Sequence, residues 1–161
     1  MLEQSGYDVV KDDRKIRHGD WISAFMKSIG RGGQILVILS RKYLHSPYCM
    51  TELNHIYENS LRDKEEFLNR IIPVVVEKTL RFDDWRFVKD VVDHWESEFT
   101  DMEPHLSKLG LPQIERYQLI RQWCGATGNI LGFIGDKFHP RGFDEIMKDD
   151  FAAVRQMLPP V

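Results

Sequence analysis

Two hydrophobic rhythms divide this chain. In roughly its first half, short aliphatic runs alternate with stretches of helical spacing. Tyr7-Asp8-Val9-Val10 follows Gly6 and precedes a charged turn, which predicts a short strand. The run Ile35 to Leu39 (ILVIL) is continuous, β-branched-rich and bounded by turn residues. This is the pattern of a strand buried on both faces of a parallel sheet. A second such run, IIPVVV from Ile71 to Val76, is interrupted only by Pro73. Ahead of the first run, Ile22, Phe25, Met26 and Ile29 keep the i, i+3, i+4, i+7 spacing of one helical face. Asp20 is set to cap that helix, and Gly30, Gly32 and Gly33 are set to stop it. Between the two aliphatic runs a helix is predicted from about Pro47 to Leu61, with Cys49, Leu53, Ile56 and Ser60 as its inward stripe. Ser46 is its expected N-cap, because a proline at the first helical position has no amide hydrogen to leave unpaired. Strands alternating with helices predict a parallel α/β sheet joined by right-handed crossovers.

Beyond Val76 the spacing is helical throughout. Trp85, Val88, Val92, Trp95 and Phe99 step by three and four, as do Tyr117, Ile120, Cys124, Thr127, Leu131, Ile134 and Phe138. Gly125, Gly128, Gly132 and Gly135 form a neighbouring stripe on the second set, and each costs about 1 kcal/mol relative to alanine in a helix interior. Either a close backbone approach to another element or a break near Gly125 accounts for them. The region from 100 to 112 reads as a loop, and a last amphipathic helix is expected from about Phe143 to Leu158. No repeat or low-complexity tract interrupts the chain, so 161 residues are expected to form one domain: core motifs in 1–80 and a helical C-terminal part in 81–161.

Composition narrows the function classes. With 42% hydrophobic and 29% charged residues the chain has the balance of a globular protein, and no apolar run approaches the roughly 18 residues that a membrane span needs. The N-terminus carries neither a basic start nor an apolar signal core, so a cytoplasmic location is expected. Net charge is −3, which argues against nucleic-acid binding; the one basic cluster, Arg14, Lys15, Arg17 and His18, is flanked by Asp12, Asp13 and Asp20. Cys49 and Cys124 have no paired spacing, so they are expected to be reduced thiols. His45, Cys49 and His55 find no fourth metal ligand at suitable spacing, and no metal site is expected.

Ligands of open parallel sheets bind beyond the carboxyl ends of the strands. Glu52 lies less than two turns into the helix that follows the ILVIL strand, on the flank of its inward stripe, where its side chain can lean back toward that crevice. An aspartate-phosphorylated receiver domain would need an Asp at the end of the middle strand, where this chain has Ser40.

Asp13-Arg14-Lys15-Ile16 with Gly19, the strand ending in Ser40, Tyr43-Leu44, then Ser46-Pro47-Tyr48-Cys49 and Glu52-Leu53 together resemble the central motifs of Toll/interleukin receptor (TIR) domains. The resemblance covers about the first 80 residues and implies a flavodoxin-like parallel sheet. Many bacterial and plant members, and one animal class, hydrolyse NAD at the nicotinamide–ribose bond, some with cyclisation. Their catalytic acid is the Glu of an S-x-x-C-x-x-E-L motif, which here is Glu52. One carboxylate suffices for that chemistry: nicotinamide departs from an already cationic base, so no general acid is needed, unlike in ordinary glycosidases. The acid orients the ribose and stabilises an oxocarbenium-like transition state. The resemblance makes Trp21 and Tyr48 candidate walls for nicotinamide, adds Ser40, Ser46 and Cys49 as substrate contacts, and makes Asp13, Arg14, Lys15, Ile16 and Gly19 an interaction loop for homotypic association. NAD is then a substrate and no cofactor is expected. Residues 1–6 correspond only to the tail of the family's first helix, so the chain is expected to be N-terminally truncated and to lack the opening strand. The alternative is a non-enzymatic adaptor that only joins other TIR modules.

Overall fold

A computed structural model describes residues 34–137, together with Lys148, Ala152 and Val154. Eight elements follow in order: β1 Ile35–Leu39, α1 Arg41–Leu44, α2 Pro47–Asn59, α3 Lys64–Arg70, β2 Ile71–Val75, α4 Trp85–Met102, α5 Leu111–Trp123 and α6 Thr127–Lys137. The strand expected at 7–10, the helix from Trp21 and the loop between them lie outside the described residues. Of the expected last helix, Lys148, Ala152 and Val154 are helical and Val154 is buried.

β1 and β2 pair in parallel, Ile35 opposite Ile71 through Leu39 opposite Val75. The ladder runs one bond further, from the Val76 amide to the Leu39 carbonyl at 3.1 Å. Both aliphatic runs are therefore strands, and three helices make the crossover between them. Their burial differs. Every residue of β2 is buried, whereas β1 alternates: Val37 and Leu39 face the core, while Leu36 and Ile38 are 39% and 49% exposed. The expectation of burial on both faces fails for β1, because an unbroken aliphatic run does not itself say how many of its faces are covered.

α2 starts where predicted. Ser46 takes extended backbone angles and its Oγ accepts from the Cys49 amide at 3.4 Å, with Pro47 in the first turn. The helix buries Met50, Thr51, Leu53, Asn54, Ile56 and Tyr57, a broader face than the predicted stripe, and Ser60 is buried just beyond its end. Cys49, predicted to face inward, is only half-buried, since the buried arc is centred toward Met50 and Leu53.

Two tryptophans fasten the C-terminal helices to this unit. The Trp95 indole on α4 donates to the Leu44 carbonyl at 2.9 Å, and the Trp123 indole on α5 donates to Thr51 Oγ1 at 2.9 Å. The two rings meet edge to face with centroids 4.8 Å apart. α2 packs on α5 and α4 on α6, and one core cluster runs from β1 to α6. The buried positions of α4 are Phe87, Val91 and Trp95; Val88 and Phe99 flank them, and Trp85 is 65% exposed. The predicted stripe thus matches only in its second half. Asp84 caps the helix through the Arg86 amide, so Trp85 begins the first turn, ahead of the Phe87 ring that packs edge to face on Phe82.

The glycine stripe resolves in two ways. A 3-10 turn at Cys124–Ala126 separates α5 from α6, the break expected near Gly125. Close approach holds at Gly135 alone among the four: a methyl group there would lie 2.8 Å from the Phe82 carbonyl carbon, whereas Gly125 and Gly132 face open space and Gly128 is in ordinary contact with Val92. The stretch predicted as a loop from 100 to 112 is instead the end of α4, a 3-10 segment Glu103–Lys108 and the start of α5. Among the described residues, no helix is long and apolar enough to cross a membrane.

Candidate functional site

Because β1 and β2 are parallel, their carboxyl tips lie on one side, and the segments leaving them form a common rim. Ser40 ends β1. Its Oγ accepts from the Tyr43 amide at 3.0 Å, and its carbonyl accepts from the Leu44 amide at 3.0 Å, which turns the chain at once into α1. The segment after β2 contributes Glu77, whose Oε1 accepts from the Arg41 amide at 2.8 Å. The Ser40 Oγ and Glu77 bonds satisfy first-turn amides that a helix leaves without internal partners.

α1 is a single turn, and α2 follows immediately: the His45 amide donates to the Arg41 carbonyl and the Ser46 amide to the Tyr43 carbonyl, each at 3.0 Å. The His45 ring stacks on His94 of α4, with centroids 4.2 Å apart and planes 12° from parallel. Burial, then His94, then Arg41 hold the His45 imidazole below its ordinary pKa.

Glu52 sits in the second turn of α2, half-buried. Its charge reaches Tyr43 and Cys49. Burial pushes the Tyr43 phenol well above its usual value, and the negative charges of Glu52 and Cys49 push it the same way. The Cys49 thiol is raised chiefly by burial, with the Ser46 hydrogen bond pulling down and Glu52 pushing up. Lys42 also acts on Cys49, pulling its thiol down, so a cation as well as Glu52 is felt there. In partly desolvated surroundings the field of the carboxylate is stronger than it would be in water.

Of the residues predicted from sequence, Ser40, Ser46, Tyr48, Cys49 and Glu52 all lie on the stretch from the tip of β1 to the second turn of α2. Ser40 and Ser46 both act as helix caps, Tyr48 is half-buried and Cys49 adjoins the charge of Glu52. Trp21 and the loop residues Asp13, Arg14, Lys15, Ile16 and Gly19 lie outside the described residues. Sequence reading missed Glu77 and the part played by Tyr43. A solitary acid in a polar connection carries no periodic signal, whereas its position directly after an aliphatic strand was a usable one. Among the described residues, no three His, Cys, Asp or Glu side chains gather closely enough to hold a metal ion.

A family model described as TIR domain matches residues 1–102 of the 161, well over half the chain. The chain belongs to the TIR domain family. The parallel β1–helix–β2 core is that of the α/β, flavodoxin-like TIR fold, with Glu52 inside the matched stretch and α5 and α6 beyond it. The TIR domain is also similar to disease resistance protein RPP2B of Arabidopsis thaliana, at 23% identity over 160 residues, covering 98% of this chain and 12% of that protein. The chain thus spans about an eighth of the length of that relative. No solved structure matches it.

Proposed function

We propose that this TIR domain is an NAD glycohydrolase of the bacterial type, which cleaves the nicotinamide–ribose bond with Glu52 as its catalytic carboxylate. What supports this reading is the setting of Glu52: half-buried in the second turn of α2, two elements after β1, with its charge felt by Tyr43 and Cys49. The nicotinamide–ribose bond breaks by loss of a neutral base, so the ribose gains positive charge as the bond lengthens. A fixed anion there stabilises the transition state more than the ground state, which is what accelerates a reaction. Ser40, Ser46, Tyr48, Cys49 and Trp21 line the ligand, and the product is ADP-ribose or a cyclised form. Homotypic association through the loop bearing Asp13, Arg14, Lys15, Ile16 and Gly19 switches the enzyme on, in a cytoplasmic defence or signalling system. The name of the Arabidopsis relative, a disease resistance protein, supports the defence context.

Residues 1–161 act as one domain in this reading. Its support is the core cluster shared from Val37 through Ile134, which leaves no seam at the end of the family match.

The experiment is a nicotinamide-release assay by chromatography, run on free protein and on protein clustered on beads. Release that rises with clustering and disappears in Glu52→Gln supports the enzyme. Protein that stays inert when clustered, yet self-associates, is the adaptor instead.

A further inference from the structure

We propose that Glu77 is a positioning residue for the Glu52 site: its carboxylate ties the segment after β2 to the first residue of α1, the turn that carries Tyr43, packs on α2 and leads directly into the helix bearing Glu52. The functional half of this proposal rests on the NAD glycohydrolase reading; the structural half does not.

α1 has four residues, far below the length at which a helix stands alone. Among the described residues, it is held by three side-chain bonds. Ser40 Oγ on the Tyr43 amide is local, reaching three residues along the chain. The other two come from elsewhere: Trp95 holds the Leu44 carbonyl from the core side, and Glu77 holds the Arg41 amide from the rim, across 36 residues of sequence. A bond from an ionised acceptor is short and stronger than a neutral one, and at 2.8 Å this one has that length. Glu77 thus joins the segment after β2 to α1 through a side-chain hydrogen bond.

The consequence follows from the order of residues on that single turn. Arg41 bears the Glu77 bond, Tyr43 carries the phenol that is raised first by burial and then by the Glu52 charge, and Leu44 is fixed by Trp95. Without Glu77, the turn keeps its anchor at Leu44 and loses the one at Arg41. It is then held at its start only by local bonds, Ser40 Oγ on the Tyr43 amide among them, and can tilt about Leu44, which shifts Tyr43 relative to α2. Small misplacements of this kind are enough to cost up to about a hundredfold in rate.

Three variants separate this role from its rivals. Glu77→Ala removes the acceptor. Glu77→Gln keeps an amide oxygen in place without the charge. Arg41→Pro removes the donor instead, at a first helical position where proline is well tolerated and after an extended Ser40 that suits it.

The first readout needs no turnover: the phenolic carbon of Tyr43, followed by NMR against pH in protein labelled at tyrosine. The Tyr43 titration is expected to move down toward the ordinary range in Glu77→Ala and in Arg41→Pro, and to stay high in Glu77→Gln. A Tyr43 titration unmoved in both Glu77→Ala and Arg41→Pro overturns the proposal. So does a shift in only one of them, once melting curves show that variant folded.

The second readout is nicotinamide release. Glu77→Ala is expected to lower kcat about tenfold with KM changed less than about twofold, and Glu77→Gln to retain most of kcat. Equal loss in Glu77→Gln and Glu77→Ala assigns Glu77 a charge contact with the ligand and overturns positioning. If Glu52→Gln keeps full release, the glycohydrolase reading fails, and the tyrosine titration still decides whether Glu77 sets α1.

Discussion

The indole N–H of Trp123 donates to the Thr51 hydroxyl at 2.9 Å, and that hydroxyl donates onward to the Pro47 carbonyl at 2.7 Å. A helix beyond the family match therefore braces the first turns of the helix that carries Glu52. Trp123→Phe keeps most of the ring and leaves Thr51 without its buried donor, at an expected cost of about 1 kcal/mol. Trp123→Ala also opens a cavity beside Trp95, which raises the expected cost to about 3–5 kcal/mol. Urea denaturation of the two variants checks the size and order of both effects.

The four glycines near the C-terminus separate by what surrounds them. Gly132 lies inside α6, and a methyl group added there would meet nothing within 4 Å, so Gly132→Ala gains helix propensity and stabilises by about 0.5–1 kcal/mol. Gly135 is in the same helix, yet its backbone abuts the Phe82 carbonyl. Gly135→Ala forces that loop away and destabilises by about 1–3 kcal/mol. Opposite signs for two identical substitutions three residues apart are the expected result in a thermal melt.

How much of this was legible in the sequence depends on the kind of signal each feature leaves. α2 and its Ser46-Pro47 start could be read directly, because cap chemistry and helical spacing agreed there. The two strands were legible as runs, but the exposure of Leu36 and Ile38 was not, since burial depends on what else the chain lays against them. On α4 two stripes compete, one through Trp85, Val88 and Val92, the other through Phe87, Val91 and Trp95, and spacing alone cannot rank them. The Phe82–Phe87 contact does. In the site, Glu52 drew notice by its offset from a strand end, and its role came from the resemblance of Ser46 through Leu53 to the TIR motif. Glu77 was not, because its significance lies in an amide 36 residues away.

His45 carries a pH dependence. Burial, His94 and Arg41 lower its pKa in the folded protein, so the unfolded chain binds more protons in the window between the folded value and about 6.5. Stability from this group is complete above that window and is lost as pH falls through it. His94→Gln takes away one lowering charge, and the urea midpoint of that variant is expected to fall less steeply than wild type between about pH 7 and 5.

Ser46 separates capping from ligand contact. Its Oγ accepts from the Cys49 amide at 3.4 Å, a long bond, so Ser46→Ala is expected at the lower end of the usual range, about 0.5–1 kcal/mol. Ser46→Asp supplies another accepting oxygen and is expected to restore that loss in a urea titration.

Glu52 is tested by comparing nicotinamide release from NAD by wild type and Glu52→Gln at matched concentration, both shown to be folded. Replacing the carboxylate with a neutral amide of the same shape is predicted to abolish turnover, a loss of at least about a hundredfold, while the urea midpoint changes little. Equal release by the two proteins would contradict the account.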